Sequence, residues 1–475
     1  MLKNIFITIL LICSVSGVWG QKSVKVKVSG NVITTDGVPA EFINIQLKNT
    51  FYGGTSDGKG YFEFMAPAGQ YTMIVQSIAA HRREFPVTIE EGKENHFADI
   101  EIRENINQLE QVVVTGQFSP QSMRNSLYRV RTVNSEQIRQ KAPTSVQSLL
   151  NTEIGIRLSN DMALGETDFE LMGMSGNNVK ILLDGIPLID RGATKQSLSQ
   201  LDVNSIERVE IVEGPMSVVY GTDALAGVIN IITKKGDGYS EENTWRVGAR
   251  VQEESMGKED DFFKDKGLHN ESIDLGFNHK SGLFVNGGYT RNNHGGWQGD
   301  LTGREKRWHP KDQALMNGMF GFQNRNMNVW YRLDFLDEKI FGPNNGSELQ
   351  PEKVSDKDFL TKRYTHQLQS DWKLDNRLDV HAALSYQDYK RRTRTTESDL
   401  STGEKWLSSA EASQDITQYK AWIARATVAW NIAPEFSVQP GVEYQWTQGE
   451  GGRIDGTPKV SDLAFFLSAE YKPWE

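Results

Sequence analysis

Apolar and polar residues alternate along most of the chain after residue 244. Residues 378–386 and 436–446 show the pattern most clearly, with an apolar side chain at every second position and mostly polar residues between. A period of two is typical of a β-strand that has one apolar face. The pattern predicts strands at residues 245–251, 273–277, 283–289, 329–335, 378–386, 422–430, 436–446 and 463–471.

The connections between these strands differ in length. Residues 253–270, 291–312, 337–358 and 391–415 are long and polar, whereas Ala433-Pro434-Glu435 is short. A strand that crosses a bilayer needs ~9 to 11 residues, and several segments reach that length. Aromatic residues at segment ends, namely Trp430, Trp446 and Trp474, are typical of interfacial girdles. The alternation alone would also suit a soluble antiparallel sandwich.

The first hundred residues predict a separate, small β domain. Short strands broken by turns run from residue 24 to residue 102, and Ile43, Ile45 and Leu47 place one face of a strand inward. Residues 35–37 and 56–58 are expected to form hairpin turns. The pattern predicts a small β-sandwich.

The region between these two parts mixes helices and strands. Short helices are expected at residues 135–140, where Ser135 could be the cap, and at residues 146–151. Strands are expected at 154–158, 168–172, 179–183, 206–212 and 227–233, with turns after several of them. Gly185, Gly214, Gly221 and Gly227 lie at strand ends or bends, where positive φ or a close backbone approach is expected.

The segment from residue 178 to 235 carries a family resemblance. Its NVKILLDGIPLID and IERVEIVEGPMSVVYGTDALAGVINIITKK closely resemble the plug domain of TonB-dependent outer-membrane receptors. The resemblance makes these the plug-motif residues: Asp184, Gly185, Gly214, Pro215, Tyr220, Gly221, Gly227 and Asn230. Their expected role is to shape turns rather than to carry out chemistry.

Two further segments are similar to parts of such receptors in Bacteroidetes-type bacteria. Residues 28–79 resemble the carboxypeptidase-regulatory-like module that precedes the plug. A short β-prone segment resembles the TonB box, which pairs with the TonB energy-coupling protein as an added strand; it comprises Glu110, Gln111, Val112, Val113, Val114 and Thr115. A connecting strand is the alternative.

The expected organisation has five parts. They are a signal peptide (1–20), the carboxypeptidase-regulatory-like sandwich (21–104), the TonB-box linker (105–118), an α+β plug (119–243) and the N-terminal part of an antiparallel transmembrane β-barrel (244–475). The fold class is mainly β. Plugged transporters have ~22 strands, whereas residues 244–475 have room for about ten, so the barrel is expected to be incomplete as given.

Composition narrows the functions. The formal net charge of −10 argues against nucleic-acid binding, and the single cysteine, Cys13, excludes an intrachain disulfide framework. Residues 1–20 have the apolar core of a secretory signal. No GxSxG or HExxH motif is present. We therefore expect no enzyme, no metal site and no cofactor; the acidic segment around residues 259–261 offers only a weak case for calcium.

The expected function is import of a scarce nutrient across the bacterial outer membrane, with the N-terminal domain in the periplasm. The resemblance implies an iron-siderophore, haem or cobalamin-type ligand. Expected ligand residues are Asp161, Asp190 and Arg191 at the plug apex, and Arg304, Arg307, Trp308 and His309 in an outer loop. Expected partners are TonB, outer-membrane lipid and the small-molecule ligand. The alternatives are an oligosaccharide or peptide importer that works with a surface lipoprotein, and a surface receptor or adhesin that does not transport.

Overall fold

A computed structural model defines the fold. It describes residues 25–34, 39–77, 80–102, 112–113, 121–122, 129–161, 166–175, 178–189, 196–216, 220, 224–236, 242–259, 261–324, 326–375, 377–433, 435–451, 454 and 456–471. The expected signal peptide, the turn at 35–37 and Trp474 lie outside these residues. Two compact units divide the chain, residues 1–112 and residues 113–475, and each is treated by itself below.

The first unit contains two β-sheets. Its strands are β1 (Lys25–Thr34), β2 (Asn44–Leu47), β3 (Gly53–Thr55), β4 (Tyr61–Pro67), β5 (Gly69–Ser77), β6 (Ala80–Ile89) and β7 (Asn95–Ile102). One sheet has the order β4-β1-β7 and the other β3-β2-β5-β6. Both contribute to a single apolar core in which Ile43, Ile45 and Leu47 are buried, as the alternation predicted.

Residues 56–58 form a turn between β3 and β4, but the prediction of a hairpin was wrong, because β3 and β4 lie in different sheets and do not pair. There the Asp57 carboxylate accepts hydrogen bonds from the backbone N–H groups of Lys59 and Tyr61, both at 2.9 Å. The strand β3 was not predicted, because its Gly53-Gly54-Thr55 sequence contains no apolar side chain.

The second unit begins with a mixed α+β domain, here called the plug. Strand β8 (Val112–Val113) lies at the boundary between the two units. The plug strands are β9 (Gln121–Ser122), β10 (Val130–Asn134), β11 (Ile156–Asp161), β12 (Glu166–Leu171), β13 (Met174–Ser175), β14 (Val179–Leu183), β15 (Ile186–Pro187), β16 (Ile206–Glu213) and β17 (Gly227–Thr233). The main sheet has the order β10-β16-β17-β14-β15, and β11-β12-β13 form a second one. All seven residues of β17 are buried because it lies between β14 and β16, which explains its continuous apolar sequence.

The plug also contains short helices. They are α1 (Ser135–Lys141), α2 (Val146–Leu150), and two 3₁₀ turns at Gln196–Gln200 and Val203–Ser205. The assignment of Ser135 as the cap of α1 was wrong: Asn134 is the cap, and it forms a capping box with Gln137. Within the described residues, no helix is long and apolar enough to cross a membrane.

The rest of the second unit is one large antiparallel sheet. Its strands are β18 (Thr244–Glu254), β19 (Leu268–Asn278), β20 (Leu283–His294), β21 (Lys311–Gln323), β22 (Met327–Gly342), β23 (Lys353–Lys373), β24 (Leu378–Asp399), β25 (Lys405–Leu407), β26 (Ile416–Ala433), β27 (Phe436–Glu450) and β28 (Lys459–Tyr471). Successive strands are neighbours from β18 to β28, except that β25 pairs only with β24.

All eight predicted strands are present in this sheet, but β21, β23 and the short β25 were missed. Much of residues 337–358 and 391–415, predicted as loops, is strand, because β22, β23 and β24 extend well past the apolar segments. In β21 the apolar Leu315 and Met319 interrupt the expected polar face. In β23 the apolar face contains Lys362 and His366. In both strands these residues break the alternation of apolar and polar positions, so the sequence pattern did not indicate a strand.

The large sheet has its apolar face outside and its polar face inside. Trp245 and Phe465 are 76% and 77% exposed, whereas Gln387 and Thr365 are 0% and 1% exposed. Plug residues contact seven of its strands, from β18 to β26. A flat sheet would spread these strands over about 34 Å, so the sheet must curve around the plug. An outward apolar face and an inward polar one are typical of a membrane β-barrel wall.

Candidate functional site

The contact between the plug and the inner face of the barrel wall is the candidate functional site. Three barrel glutamines, here called the glutamine clamp, donate side-chain N–H groups to main-chain carbonyls of the plug turn at 183–187. The pairs are Gln367 to Leu183 at 3.2 Å, Gln369 to Asp184 at 2.8 Å and Gln387 to Pro187 at 2.7 Å. The Ile189 N–H also donates to Gln387 Oε1 at 2.9 Å. The clamp therefore fixes the main chain of this turn.

The turn is also held from within the plug. Asp184 has φ of 50° and Gly185 has φ of 82°, as β14 reverses into β15. The Asp184 carboxylate accepts from the Thr233 N–H at 3.0 Å and the Thr233 hydroxyl at 2.7 Å, and it pairs with Lys235 Nζ at 3.0 Å. Asn230 Oδ1 accepts from the Gly185 N–H at 2.9 Å. The buried polar residues of the plug motif thus serve the turn itself.

Positive φ or a close backbone approach was expected at four plug-motif glycines. Positive φ is found at Gly185, at Gly214 (104°) and at Gly227 (149°), whereas Gly221 lies outside the described residues. A Cβ on Gly227 would lie 2.1 Å from the Val212 carbonyl oxygen, so only glycine fits there without movement. The expected close approach is therefore confirmed at this position.

The remaining plug-motif residues follow β16, whose last residue pairs with the start of β17, at the end of the main sheet opposite the turn at 183–187. Pro215 follows Gly214 in the turn after β16. The Tyr220 side chain is buried, and the Arg425 guanidinium of β26 lies 5.3 Å from the centre of its ring. A cation that close to an aromatic ring attracts it, so Tyr220 provides another attachment of the plug to the wall.

Asp202 is the centre of a second attachment point. Its carboxylate accepts from Thr290 Oγ1 at 2.9 Å and Asn317 Nδ2 at 3.2 Å, both on the barrel wall. The Asn204 N–H of the plug donates to it at 3.0 Å. Burial raises the pKa of the Asp202 carboxyl above its usual range. Beside it, Arg332 donates to the Ser205 hydroxyl at 3.3 Å.

A third attachment point lies around the buried Glu338 of β22. Glu338 accepts from Gln200 Nε2 of the plug at 2.9 Å and from Gln313 Nε2 of β21 at 2.8 Å. Gln313 also donates to the Ser199 carbonyl at 3.0 Å, and Arg363 donates to the Gln200 carbonyl at 2.8 Å. Barrel side chains again bind plug main chain.

Sequence reasoning did not identify these attachment residues. They comprise the glutamine clamp, Asp202, Thr290, Gln313, Asn317, Arg332, Glu338 and Arg363. The available signal was the polar face of each barrel strand, since the inward polar positions are the ones that meet the plug. The polar pattern shows which face of a strand points inward, but it does not show which plug residue each side chain will contact.

The outer-loop residues expected to bind ligand are close together but are partly paired. Arg304 forms an ion pair with Asp356 at 2.7 Å, and Arg307 pairs with Asp300. The Trp308 ring stacks on His294 with centroids 3.7 Å apart. His309 lies in the same loop and is half-buried. The loop is therefore organised, and Arg304 links it to β23.

The other predicted site residues are described only in part. Of the TonB-box segment, Val112–Val113 forms β8 and pairs with β9, and Glu110, Gln111, Val114 and Thr115 lie outside the described residues. Asp161 ends β11, with only its backbone described. Asp190 and Arg191 also lie outside. Their roles stay predictions.

A folded plug held inside a wall with an apolar outer face defines a class of protein, the plugged outer-membrane receptors. Residues 122–228 match the family described as TonB-dependent Receptor Plug Domain, and residues 28–114 match the CarboxypepD_reg-like domain. The chain therefore carries the plug of a TonB-dependent receptor, and the recognition made from its sequence is confirmed.

Two curated proteins are similar to part of the chain. The Vitamin B12 transporter of Vibrio vulnificus (strain CMCP6) is 32% identical over 139 residues, which are 29% of this chain and 23% of that protein. The Ferrienterobactin receptor of Escherichia coli (strain K12) is 33% identical over 125 residues, 23% of this chain and 17% of that protein. The chain thus matches less than a quarter of the length of either relative.

Solved structures share the fold over a longer part. The pyoverdine outer membrane receptor from Pseudomonas aeruginosa PAO1 has a TM-score of 0.53 at 15% identity, covering 76% of this chain and 62% of that one. A ferric enterobactin receptor mutant from Pseudomonas aeruginosa has a TM-score of 0.52 at 15% identity, covering 73% and 55%. These similarities confirm the expected fold class of plug and barrel.

Proposed function

We propose that the protein is an outer-membrane transporter that imports a scarce nutrient in a TonB-dependent way. The observation that carries the proposal is the folded plug, attached to the inner barrel wall at the glutamine clamp, Asp202 and Glu338. Each attachment consists of hydrogen bonds that water can replace, at a net cost of about 0.5–1.5 kcal/mol for a neutral bond and about 1.5–3 kcal/mol for a bond to a carboxylate. The apolar contact between plug and wall at Ile186, Ala383 and Ile423 is small, so rearranging the plug would expose little apolar surface.

The energy would come through the segment 110–115. An extended segment with β-branched residues binds a partner by adding a strand, with backbone hydrogen bonds supplying the affinity. In this proposal TonB is that partner, and a pull on residues 110–115 is transmitted to the plug that follows. The strand at Val112–Val113 supports this, since the segment already adopts the conformation that strand addition needs.

The proposed cargo is an iron-siderophore, haem or cobalamin-type chelate. The similar proteins are named for vitamin B12, ferrienterobactin and pyoverdine, which supports this class for the chain. The plug apex and the loop that carries Arg304, Arg307 and Trp308 would receive it. Because Arg304 is paired with the largely buried Asp356, we assign it the task of shaping the loop. The pair of Arg307 with Asp300 is more than half exposed on both sides and therefore weak, so Arg307 stays available as a contact together with Trp308.

The protein would act by binding and passage rather than by catalysis, with no resident cofactor. The relatives named above are transporters and receptors, in line with this. The carboxypeptidase-regulatory-like domain would lie in the periplasm, because it precedes the TonB-coupling segment.

Growth and binding assays test the proposal together. A deletion strain is grown on defined iron, haem and cobalamin sources, with the wild-type gene or a variant lacking Val112–Thr115. The variant should bind labelled cargo at the cell surface but fail to support growth. Rescue by none of these sources would overturn the cargo class. Full growth with the deletion variant would show that the segment is not the coupling site and favour a receptor that does not transport.

A further inference from the structure

The outer face of the barrel wall changes abruptly from aromatic to basic on neighbouring strands. On β22, β23, β24 and β26 the outward side chains that end the apolar band are aromatic. They are Phe335, Tyr364, Tyr386 and Trp422, and they form two ring pairs with centroids 4.8 Å and 4.7 Å apart. Aromatic side chains of this kind mark the boundary between lipid tails and headgroups.

Four cationic side chains lie just beyond this aromatic boundary, toward the ends of the strands that carry the long connections. This basic patch consists of Lys362 on β23, Lys390 and Arg392 on β24, and Lys420 on β26. Lys362 and Lys390 are register partners, so their side chains lie side by side. Lys420 is opposite Asp388, two residues from Lys390 on the same face. The first three side chains are exposed and Lys420 is half-buried.

The patch carries more positive charge than its own acidic neighbours neutralise. Lys362 pairs with Asp337 at 3.2 Å, with both side chains about half exposed, and Asp388 accepts a hydrogen bond from Gln418 at 2.7 Å. Among the residues that the structure describes, Lys390, Arg392 and Lys420 have no ion-pair partner within 4.0 Å. Like charges directly opposite each other on a sheet destabilise it. An external anion would reduce the repulsion between Lys362 and Lys390.

The position of the patch indicates which anion it would meet. It lies at the end of the strands that carries the long connections, such as residues 295–310 and 400–415, whereas the other end has short turns such as the one after Ala433. Long loops are on the extracellular side of outer-membrane barrels. The cations therefore lie at the headgroup level of the outer leaflet, continuous with the lipid-facing band.

We propose that the basic patch binds the phosphate groups of a phosphorylated glycolipid in the outer leaflet. Lysine ammonium groups and the Arg392 guanidinium donate charge-assisted hydrogen bonds to phosphate oxygens, and the aromatic boundary below packs against the acyl chains. The site depends on the outer-membrane location that the proposed function assigns. It needs neither the cargo nor the energy-coupling partner.

Lipid binding by the purified full chain in detergent tests the proposal. The probe is a glycolipid that carries two phosphates, compared with the same lipid after its phosphates are removed, with bound lipid counted by native mass spectrometry. Each basic residue at an anionic membrane surface strengthens binding by about fivefold. The double variant Lys390→Gln with Arg392→Gln should therefore bind the phosphorylated lipid about 25-fold more weakly. Lys373→Gln, at the short-turn end of β23, is the matched control and should bind like the wild type.

Two results would overturn the proposal. One is equal binding of the phosphorylated and dephosphorylated lipids by the wild-type protein, which requires no variant to fold. The other is equal binding of the phosphorylated lipid by the double variant and the Lys373→Gln control. The outcome is separate from that of the growth assay, since loss of nutrient uptake with intact lipid binding would refute only the transport function.

Discussion

The Asp184 carboxylate is expected to determine the local stability of the plug where it meets the glutamine clamp. In Asp184→Asn the side chain keeps its shape and one acceptor, and asparagine tolerates the positive φ of 50° at this position. The new amide N–H group, however, must face donors that now serve the carboxylate. The substitution therefore separates the loss of charge from backbone strain.

The expected loss of local stability in Asp184→Asn follows from the three interactions of the Asp184 carboxylate, two with Thr233 and one with Lys235. One bond from Thr233 is lost, which costs about 1 kcal/mol. The ion pair with Lys235 is lost as well; its Asp184 side chain is 1% exposed and its Lys235 side chain 26%. Because solvent partly screens the lysine, this loss is about another 1 kcal/mol. Local opening should become easier by about 2 kcal/mol, a factor of about 30.

Hydrogen–deuterium exchange on the purified protein measures this directly. Peptides that cover Gly227–Thr233 should exchange about 30-fold faster in Asp184→Asn than in the wild type. Asp312→Asn is the control, because it removes an exposed carboxylate whose partner Arg291 is also exposed. A change below about threefold in Asp184→Asn, or equal changes in both variants, would refute the assigned role of the carboxylate.

Two other substitutions test the plug. Gly227→Ala would place its Cβ 2.1 Å from the Val212 carbonyl oxygen, so the folded receptor should be largely lost from outer-membrane fractions, whereas Gly318→Ala, with nothing within 4 Å, should accumulate normally. The raised pKa of Asp202 means that the folded plug holds this proton more tightly than the unfolded chain does, so its stability should increase as pH falls through the raised value. Urea unfolding at several pH values should show that gain in the wild type and not in Asp202→Asn; parallel curves would contradict it.

The sequence predicted the fold where local pattern and tertiary environment agree. In β17 a largely apolar sequence matched a strand buried on both faces, and in β27 a regular alternation matched one apolar and one polar face. Prediction failed at β21, where Leu315 and Met319 face inward. It also failed at β23, where Lys362 and His366 lie on the outer face. Whether such a residue faces inward or outward depends on contacts with residues that are distant in the sequence.

The attachment points could not be predicted for the same reason. Gln367 contacts a carbonyl 184 positions away, and nothing near it in the sequence distinguishes it from the other polar residues of its strand. By contrast, Gly227 and Asp184 could be selected, because a turn imposes its demands on adjacent residues. The sequence therefore revealed the shape of the plug better than the means by which the wall holds it.

The wall holds the plug by peptide groups as well as by plug side chains such as Asp202 and Gln200. Main-chain carbonyls of the plug accept bonds from barrel side chains at these positions: Ala142, Pro143, Leu183, Asp184, Pro187, Ser199 and Gln200. Every amino acid supplies such a carbonyl, so plug side chains can diverge without losing these bonds as long as the backbone path is kept. A plug grafted from a distant homologue into a chimaeric receptor would therefore keep these main-chain bonds, but it would need side chains equivalent to Gln200 and Asp202 to keep the others.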